Sequence, residues 1–226
     1  TTKEDLRDNY PFGLLAVPQE EIVRVQGTSG TTGKLTLASY TQKDVDVWGE
    51  CVARGLTMAG LTSEDIIHVC YGYGLFTGGM GLDFGAKALG ATAIPMSAGN
   101  TKRQMMCMED LGATAFACTP SYALYLAESI QEAGIVDRLN LKVGIHGAEP
   151  WTEEMRKKIE DILHINCFDI YGLCEWYKDR YDFKGGGNMT QETCEKYDGA
   201  VAYFHLPGLF EFYGLYSLFL PLFYNH

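Results

Sequence analysis

Basic residues are scarce in this chain: 18 Lys and Arg stand against 29 Asp and Glu, for a formal net charge of −11 over 226 residues. A surface built to neutralise nucleic-acid phosphates needs the opposite balance, so any phosphate bound here is held locally. No cysteine pair has CxxC spacing, and the seven cysteines are odd in number and dispersed. That excludes a zinc ribbon or disulfide scaffold and points to free thiols in a reducing cytoplasm. No basic segment followed by an apolar run opens the sequence, so no signal peptide is expected and Thr1 reads as mid-protein sequence. The most apolar stretch, 208–224, is interrupted by Glu211 and Pro221 and falls short of a membrane span. His68, His164 and His205 show no metal-ligand spacing, His146 reads as a polar strand-end residue without a role, and no internal repeat appears. What is abundant is apolar material, 46% hydrophobic and 12% aromatic residues, enough to fill a packed core.

That material is arranged in alternating periods. Val45, Trp48, Val52, Leu56 and Ala59 recur every three or four residues, predicting a helix from Thr41 as N-cap to Gly60 as stop. The short run 66–71, rich in β-formers, predicts a buried strand. The alternation continues with helix 80–89, strand 91–95, helix 101–111 opened by a Thr101/Gln104 capping box, strand 115–118, helix 121–133, strand 141–145, helix 152–163 and strand 165–170. Such alternation predicts an α/β fold, a largely parallel sheet with helices on both faces. Open sheets of this kind bind ligands beyond the carboxyl ends of their strands. The loops following three of the predicted strands are unusual: Gly72 to Gly79, Gly147-Ala148-Glu149-Pro150, and Tyr171-Gly172-Leu173-Cys174-Glu175. Three such loops on one rim predict one site. After Glu175 the character changes, with a Gly185-Gly186-Gly187 break and an aromatic tail of no regular period.

The sharpest local signal is Thr28-Ser29-Gly30-Thr31-Thr32-Gly33-Lys34. Closely spaced glycines let backbone N–H groups approach an anion, while hydroxyls and a lysine add donors and charge. It is not a Walker A loop: Thr28 stands where the first glycine belongs, and Leu35 replaces the magnesium-binding hydroxyl.

This motif resembles the phosphate-binding loop of the adenylate-forming enzymes, and within them the sequence is similar to the phenylacetate-CoA ligases. Asp5-Leu6-Arg7, Tyr10-Pro11-Phe12-Gly13, Tyr71 to Gly79, Thr119-Pro120-Ser121-Tyr122, Gly147 to Trp151 and Asp169 to Leu173 match that family's signatures in order, from about Lys3 to Glu175. The resemblance implies an ATP-dependent, AMP-forming ligase that activates phenylacetate, or another aromatic acid, and passes it to coenzyme A. It implies that 28–34 hold the β- and γ-phosphates, with Thr31, Lys34 and Glu175 as catalytic residues and Glu175 as the Mg2+ ligand. Asp169 would accept from the adenine amino group and Tyr171 would stack on the base. Ile170 and Gly172 would flank it, and Gly147, Glu149 and Pro150 would form the opposite wall. Tyr71 and Phe76, with Gly147 and Ala148, would line the acid's pocket.

Read without the resemblance, Tyr71 and Phe76 are plain core aromatics, Glu149 caps the helix near Thr152, and Asp169 and Glu175 are solvated carboxylates. Cys174 departs from the Ser or Thr of related enzymes. The expected organisation is a partial adenylation domain, the N-terminal domain of an adenylate-forming enzyme, over 1–175, then a divergent segment over 176–226. The resemblance also leads to the expectation that the lysine-bearing C-terminal domain is absent, as in a truncated or frame-disrupted product. The expected partners are small molecules, with no nucleic acid, no membrane and room for a homodimer. The alternative is a non-catalytic nucleotide-binding remnant.

Overall fold

The structure, a computed structural model, describes residues 3–27, 35, 37–171 and 203–205. After a short helix α1 (Lys3–Asp8), strands β1 (Ile22–Gly27) and β2 (Leu37–Thr41) pair antiparallel as a separate two-stranded sheet. The remainder alternates as the sequence predicts: α2 (Gln42–Met58), β3 (Ile66–Val69), α3 (Thr77–Leu89), β4 (Thr92–Ile94), α4 (Thr101–Asp110), β5 (Ala115–Cys118), α5 (Pro120–Glu132), β6 (Val143–Gly147), α6 (Glu153–Leu163) and β7 (Asn166–Tyr171). Strands β4, β3, β5, β6 and β7 lie side by side in parallel, and β8 (Tyr203–His205) adds an antiparallel edge beside β7. The 208–224 stretch lies outside the described residues, and among those described no helix is long and apolar enough to cross a membrane.

Both faces of the sheet are covered, and the alternation along β5 shows how. Ala115 and Ala117 join Ile67, Val69, Val143 and Ile145 against α2 and α3, whereas Phe116 and Cys118 face α4, α5 and α6 with Cys70 and Cys167. All four residues of β5 are buried, which is why it reads as an unbroken apolar run. On the first face α3 lies so close to α2 that a Cβ on Gly85 would come within 2.4 Å of Val52. The five described cysteines, Cys51, Cys70, Cys107, Cys118 and Cys167, are free thiols.

The caps explain where helices begin. Thr41 and Asp44 form a reciprocal box at α2, with the Thr41 N–H donating to Asp44 Oδ2 at 2.8 Å and the Asp44 N–H to Thr41 Oγ1 at 3.3 Å. At α4 the expected Thr101/Gln104 box is corrected. Asn100, in the left-handed region at φ 51°, is the N-cap and accepts from the Arg103 N–H. Gln104 is drawn inward instead, donating to the Ser97 and Gly99 carbonyls and accepting from His68 Nε2 at 2.5 Å. A fully buried histidine needs a partner, and that need outweighs a helix-end bond available from a neighbour.

At the amino ends of the strands, buried Asp65 accepts from Thr114 Oγ1 and the Thr62 N–H and pairs with Lys142 at 2.7 Å. This lock ties β3, β5 and β6 together at the end opposite the unusual loops.

Candidate active site

Because β3, β5, β6 and β7 are parallel, their carboxyl ends lie on one rim. Tyr71 draws that rim together: its hydroxyl donates to the Cys118 carbonyl at 2.7 Å and to the Gly147 carbonyl at 3.2 Å. Burial, reinforced by the neighbouring Cys118 thiol, pushes the phenol well above 10, so it stays a donor. Its ring packs against the α2–α3 core, in line with the core-aromatic reading of Tyr71. We expect Tyr71→Phe to destabilise the fold by about 1–2 kcal/mol, because it removes the buried hydroxyl shared by the Cys118 and Gly147 carbonyls while keeping the ring. An unchanged urea midpoint would contradict the clamp. Phe76, by contrast, is 53% exposed at the start of α3, which rules out a core role for it.

The hydroxyl-rich loop 28–34 lies outside the described residues, but its root does not. The Gly27 N–H donates to the Leu75 carbonyl at 2.7 Å, fixing the end of β1 to the loop that follows β3. Buried Gln26, in the amide orientation its neighbours require, donates to the Gly74 and Leu75 carbonyls at 3.0 and 2.8 Å. Gly27 pairs with Leu37 across the hairpin, so the intervening loop leaves from and returns to the same point on the rim. The sequence reading missed this hairpin. Its signal was the β-branched run Ile22-Val23-Arg24-Val25 ahead of the glycines.

The turn after β6 is tightly constrained. A Cβ on Gly147 would come within 2.0 Å of the Ile170 carbonyl oxygen on β7, so only glycine fits. Ala148 follows at φ 73°, a left-handed conformation that costs a non-glycine residue free energy. Glu149 then accepts the Ser121 N–H at 2.7 Å, capping α5. The reading in which Glu149 caps the helix near Thr152 is corrected: Thr152 caps α6 itself, accepting from the Met155 N–H at 3.2 Å. Pro150 leads from this turn toward α6.

Asp169 lies on β7 opposite His146 in register and one residue before Ile170, the partner of Gly147. Its Oδ1 accepts from Trp151 Nε1 at 2.6 Å and its Oδ2 from Arg156 at 3.3 Å. Far from being freely solvated, this carboxylate is fixed on its inner side. Trp151 and Arg156 had no assigned role in the sequence reading, and no spacing rule points to them. His146, near the end of β6 as expected, is fully buried, edge-on to Phe116 and Trp151, with Nδ1 donating to the Cys118 carbonyl at 3.3 Å. Tyr171 ends β7, while Gly172 and Glu175 lie outside the described residues. The rim therefore gathers Tyr71, Gly147, Ala148, Glu149, Ile170 and Asp169, and the Gly27–Leu75 bond joins the end of β1 to it through the loop that follows β3.

A family profile described as AMP-binding enzyme matches residues 5–177, which run from within α1 through β7. The chain belongs to the AMP-binding enzyme family. Among relatives of this AMP-binding enzyme, the phenylacetate-coenzyme A ligases of Pseudomonas putida and Escherichia coli (strain K12) are each 53% identical, over 200 and 201 residues that cover 88% of this chain and 44% of theirs. The phenylacetate-coenzyme A ligase of Thermus thermophilus is 51% identical over 176 residues, 77% of this chain and 40% of its own length. The chain thus spans less than half the length of these relatives. Among solved structures, 2-hydroxyisobutyryl-CoA ligase in an open conformation with 2-HIB-AMP and CoA superimposes with a TM-score of 0.71 at 28% identity, over 77% of this chain and 43% of that one. A long-chain-fatty-acid-CoA ligase from Archaeoglobus fulgidus gives a TM-score of 0.54 at 21% identity, a likeness of fold alone. The AMP-binding enzyme's sheet, five parallel strands with helices on both faces, is the architecture these neighbours share.

Proposed function

We propose that the rim is part of the adenylation site of an ATP-dependent acid–CoA ligase acting on phenylacetate or a related aromatic acid. One observation carries the reading: the hydroxyl-rich loop is rooted, through Gly27 N–H to Leu75 O at 2.7 Å, on the same rim as Tyr71, Gly147 and Asp169. The names of the relatives, phenylacetate-coenzyme A ligase, support the choice of acid, and the bound 2-HIB-AMP and CoA of the structural neighbour support the reaction type.

The chemistry follows from charge. A carboxylate resists attack by a thiol, so the acid oxygen first attacks the α-phosphorus of ATP, an O–P bond forms, and pyrophosphate leaves. The coenzyme A thiolate then attacks the acyl carbon and AMP departs with the electron pair. The task for the protein is to bring two anions together and stabilise the charge growing at phosphorus. Residues 28–34 would supply N–H, hydroxyl and ammonium donors, with Thr31 and Lys34 as catalytic residues. Asp169 receives the adenine amino group, Tyr171 stacks on the base, and the 147–150 turn faces it. Tyr71 and Phe76 offer aromatic surface to the acid. Magnesium belongs to the proposal through Glu175, whose oxygens suit a hard cation beside phosphate. Among the described residues no cluster of three His, Cys, Asp or Glu side chains forms a metal site.

The same reading takes 1–175 as part of the adenylation domain, a division supported by the family match ending at residue 177. A cytoplasmic location and a homodimer are further expectations of it. ATP–pyrophosphate exchange driven by phenylacetate tests the reaction, and a panel of aromatic acids tests the preference. Exchange supports the ligase; nucleotide binding without exchange supports a non-catalytic remnant. Lys34→Ala should weaken ATP binding about 10- to 100-fold, the value of one charge-assisted contact. Unchanged affinity in a calorimetric titration would remove Lys34 from the site.

A further inference from the structure

We propose that Trp151 and Arg156 are positioning residues that set the base preference of the nucleotide site by holding the Asp169 carboxylate in one plane. The inference rests on the adenine-reading role proposed above for Asp169. Trp151 Nε1 donates to Oδ1 at 2.6 Å and Arg156 donates to Oδ2 at 3.3 Å, so each oxygen is gripped once, from the inner side. The Asp169 side chain is nevertheless 35% exposed. An ionised carboxylate only accepts hydrogen bonds, and each oxygen keeps a further lone pair for a ligand. Such a group welcomes the 6-amino donor of adenine and repels the 6-carbonyl of a hypoxanthine or guanine base.

The grip is itself braced. Arg156 is 3% exposed, donates to the Cys167 carbonyl at 2.6 Å and to Glu153 at 3.2 Å, and stacks 4.3 Å from the Trp151 ring centre. The planar guanidinium therefore fixes the indole, and the two together fix the carboxylate. Without the indole N–H, Asp169 turns about its terminal torsion toward Arg156 and its outward lone pairs lose their aim at the base.

The test compares ATP with inosine triphosphate, which differs at the base 6-position, in equilibrium titrations of the 226-residue chain. The parent chain should favour ATP. Trp151→Phe, which keeps the stacked ring, should lower that preference about tenfold through lost ATP affinity, with inosine triphosphate affinity nearly unchanged. If Trp151→Phe does not fold, 3-benzothienylalanine at Trp151 removes only the N–H from an indole-shaped ring, and the same loss of preference is expected. Asp169→Asn, whose amide also offers a donor, should shift preference toward inosine triphosphate whatever Trp151 does. A preference unchanged by either Trp151 replacement, while Asp169→Asn moves it, overturns the positioning role alone. A preference that Asp169→Asn leaves unmoved overturns the adenine reading on which it rests. An equal drop for both nucleotides marks Trp151 as structural only and also overturns the positioning role.

Discussion

Replacing Gly147 by alanine should lower the melting temperature by about 6–12 °C, the equivalent of some 3 kcal/mol in a domain of this size. The size of the effect comes from what the new methyl group meets. It would lie 2.0 Å from the Ile170 carbonyl oxygen and 2.9 Å from Ile170 Cγ2. A flexible side chain could turn aside, but a carbonyl within the β6–β7 ladder cannot move without parting the strands. Parting them pulls the Gly147 carbonyl from the Tyr71 hydroxyl and shifts Asp169 relative to the turn. Nucleotide affinity should therefore fall together with stability. Gly74→Ala provides the contrast, since a Cβ there meets nothing within 4 Å. Equal melting shifts for the two variants would show that the β6–β7 contact is not as tight as described.

Acid should destabilise the fold through His146. Burial pushes this imidazole down to about 3 from 6.5; the Cys118 carbonyl bond works the other way, and the Arg156 guanidinium adds to the depression. Nδ1 donates to the Cys118 carbonyl and buried Nε2 has no partner among the described residues, which fits a neutral ring carrying its proton on Nδ1. The unfolded chain takes up a proton near pH 6.5 and the folded chain refuses it until about pH 3. Stability from this group is thus complete above about pH 6.5 and falls by about 1.4 kcal/mol per pH unit below it, on the order of 4–5 kcal/mol by pH 3. Denaturant titrations at pH 7.5 and 5.0 should differ by about 2 kcal/mol from this cause. His146→Gln should remove that component. An identical acid loss in the variant would assign it to other groups.

How much of this was legible in advance differs by element. Strands β3, β5 and β6 are buried on both faces, so their apolar runs announce them; β7 is less buried, and the sequence bounds of all four fall within two residues of those observed. The shared rim of the loops after β3 and β6 was legible too, because parallel strands carry their following loops to one end; the third loop, after Tyr171, lies outside the described residues. The β1–β2 hairpin was not, since its strands are only partly buried and its two halves are separated by the glycine-rich loop that dominates the sequence there. At α4 a Thr-x-x-Gln pattern lay one residue beyond the true cap, and only the buried His68 reveals why Gln104 points inward. Contacts such as Glu149 to Ser121 and Arg156 to Asp169 join different elements, 28 and 13 residues apart, and leave no mark in local spacing. What the carboxylate of Asp169 faces inward was therefore a matter for coordinates.

Photolabelling the chain with 8-azido-ATP, followed by peptide mapping, addresses the location of the nucleotide most directly. ATP-competed label should fall on the peptides holding 147–151 and 169–171, at the carboxyl ends of β6 and β7. Label at the opposite end, around Asp65 and Lys142, or on the outer surfaces of α2 and α3, would contradict a nucleotide site on this rim.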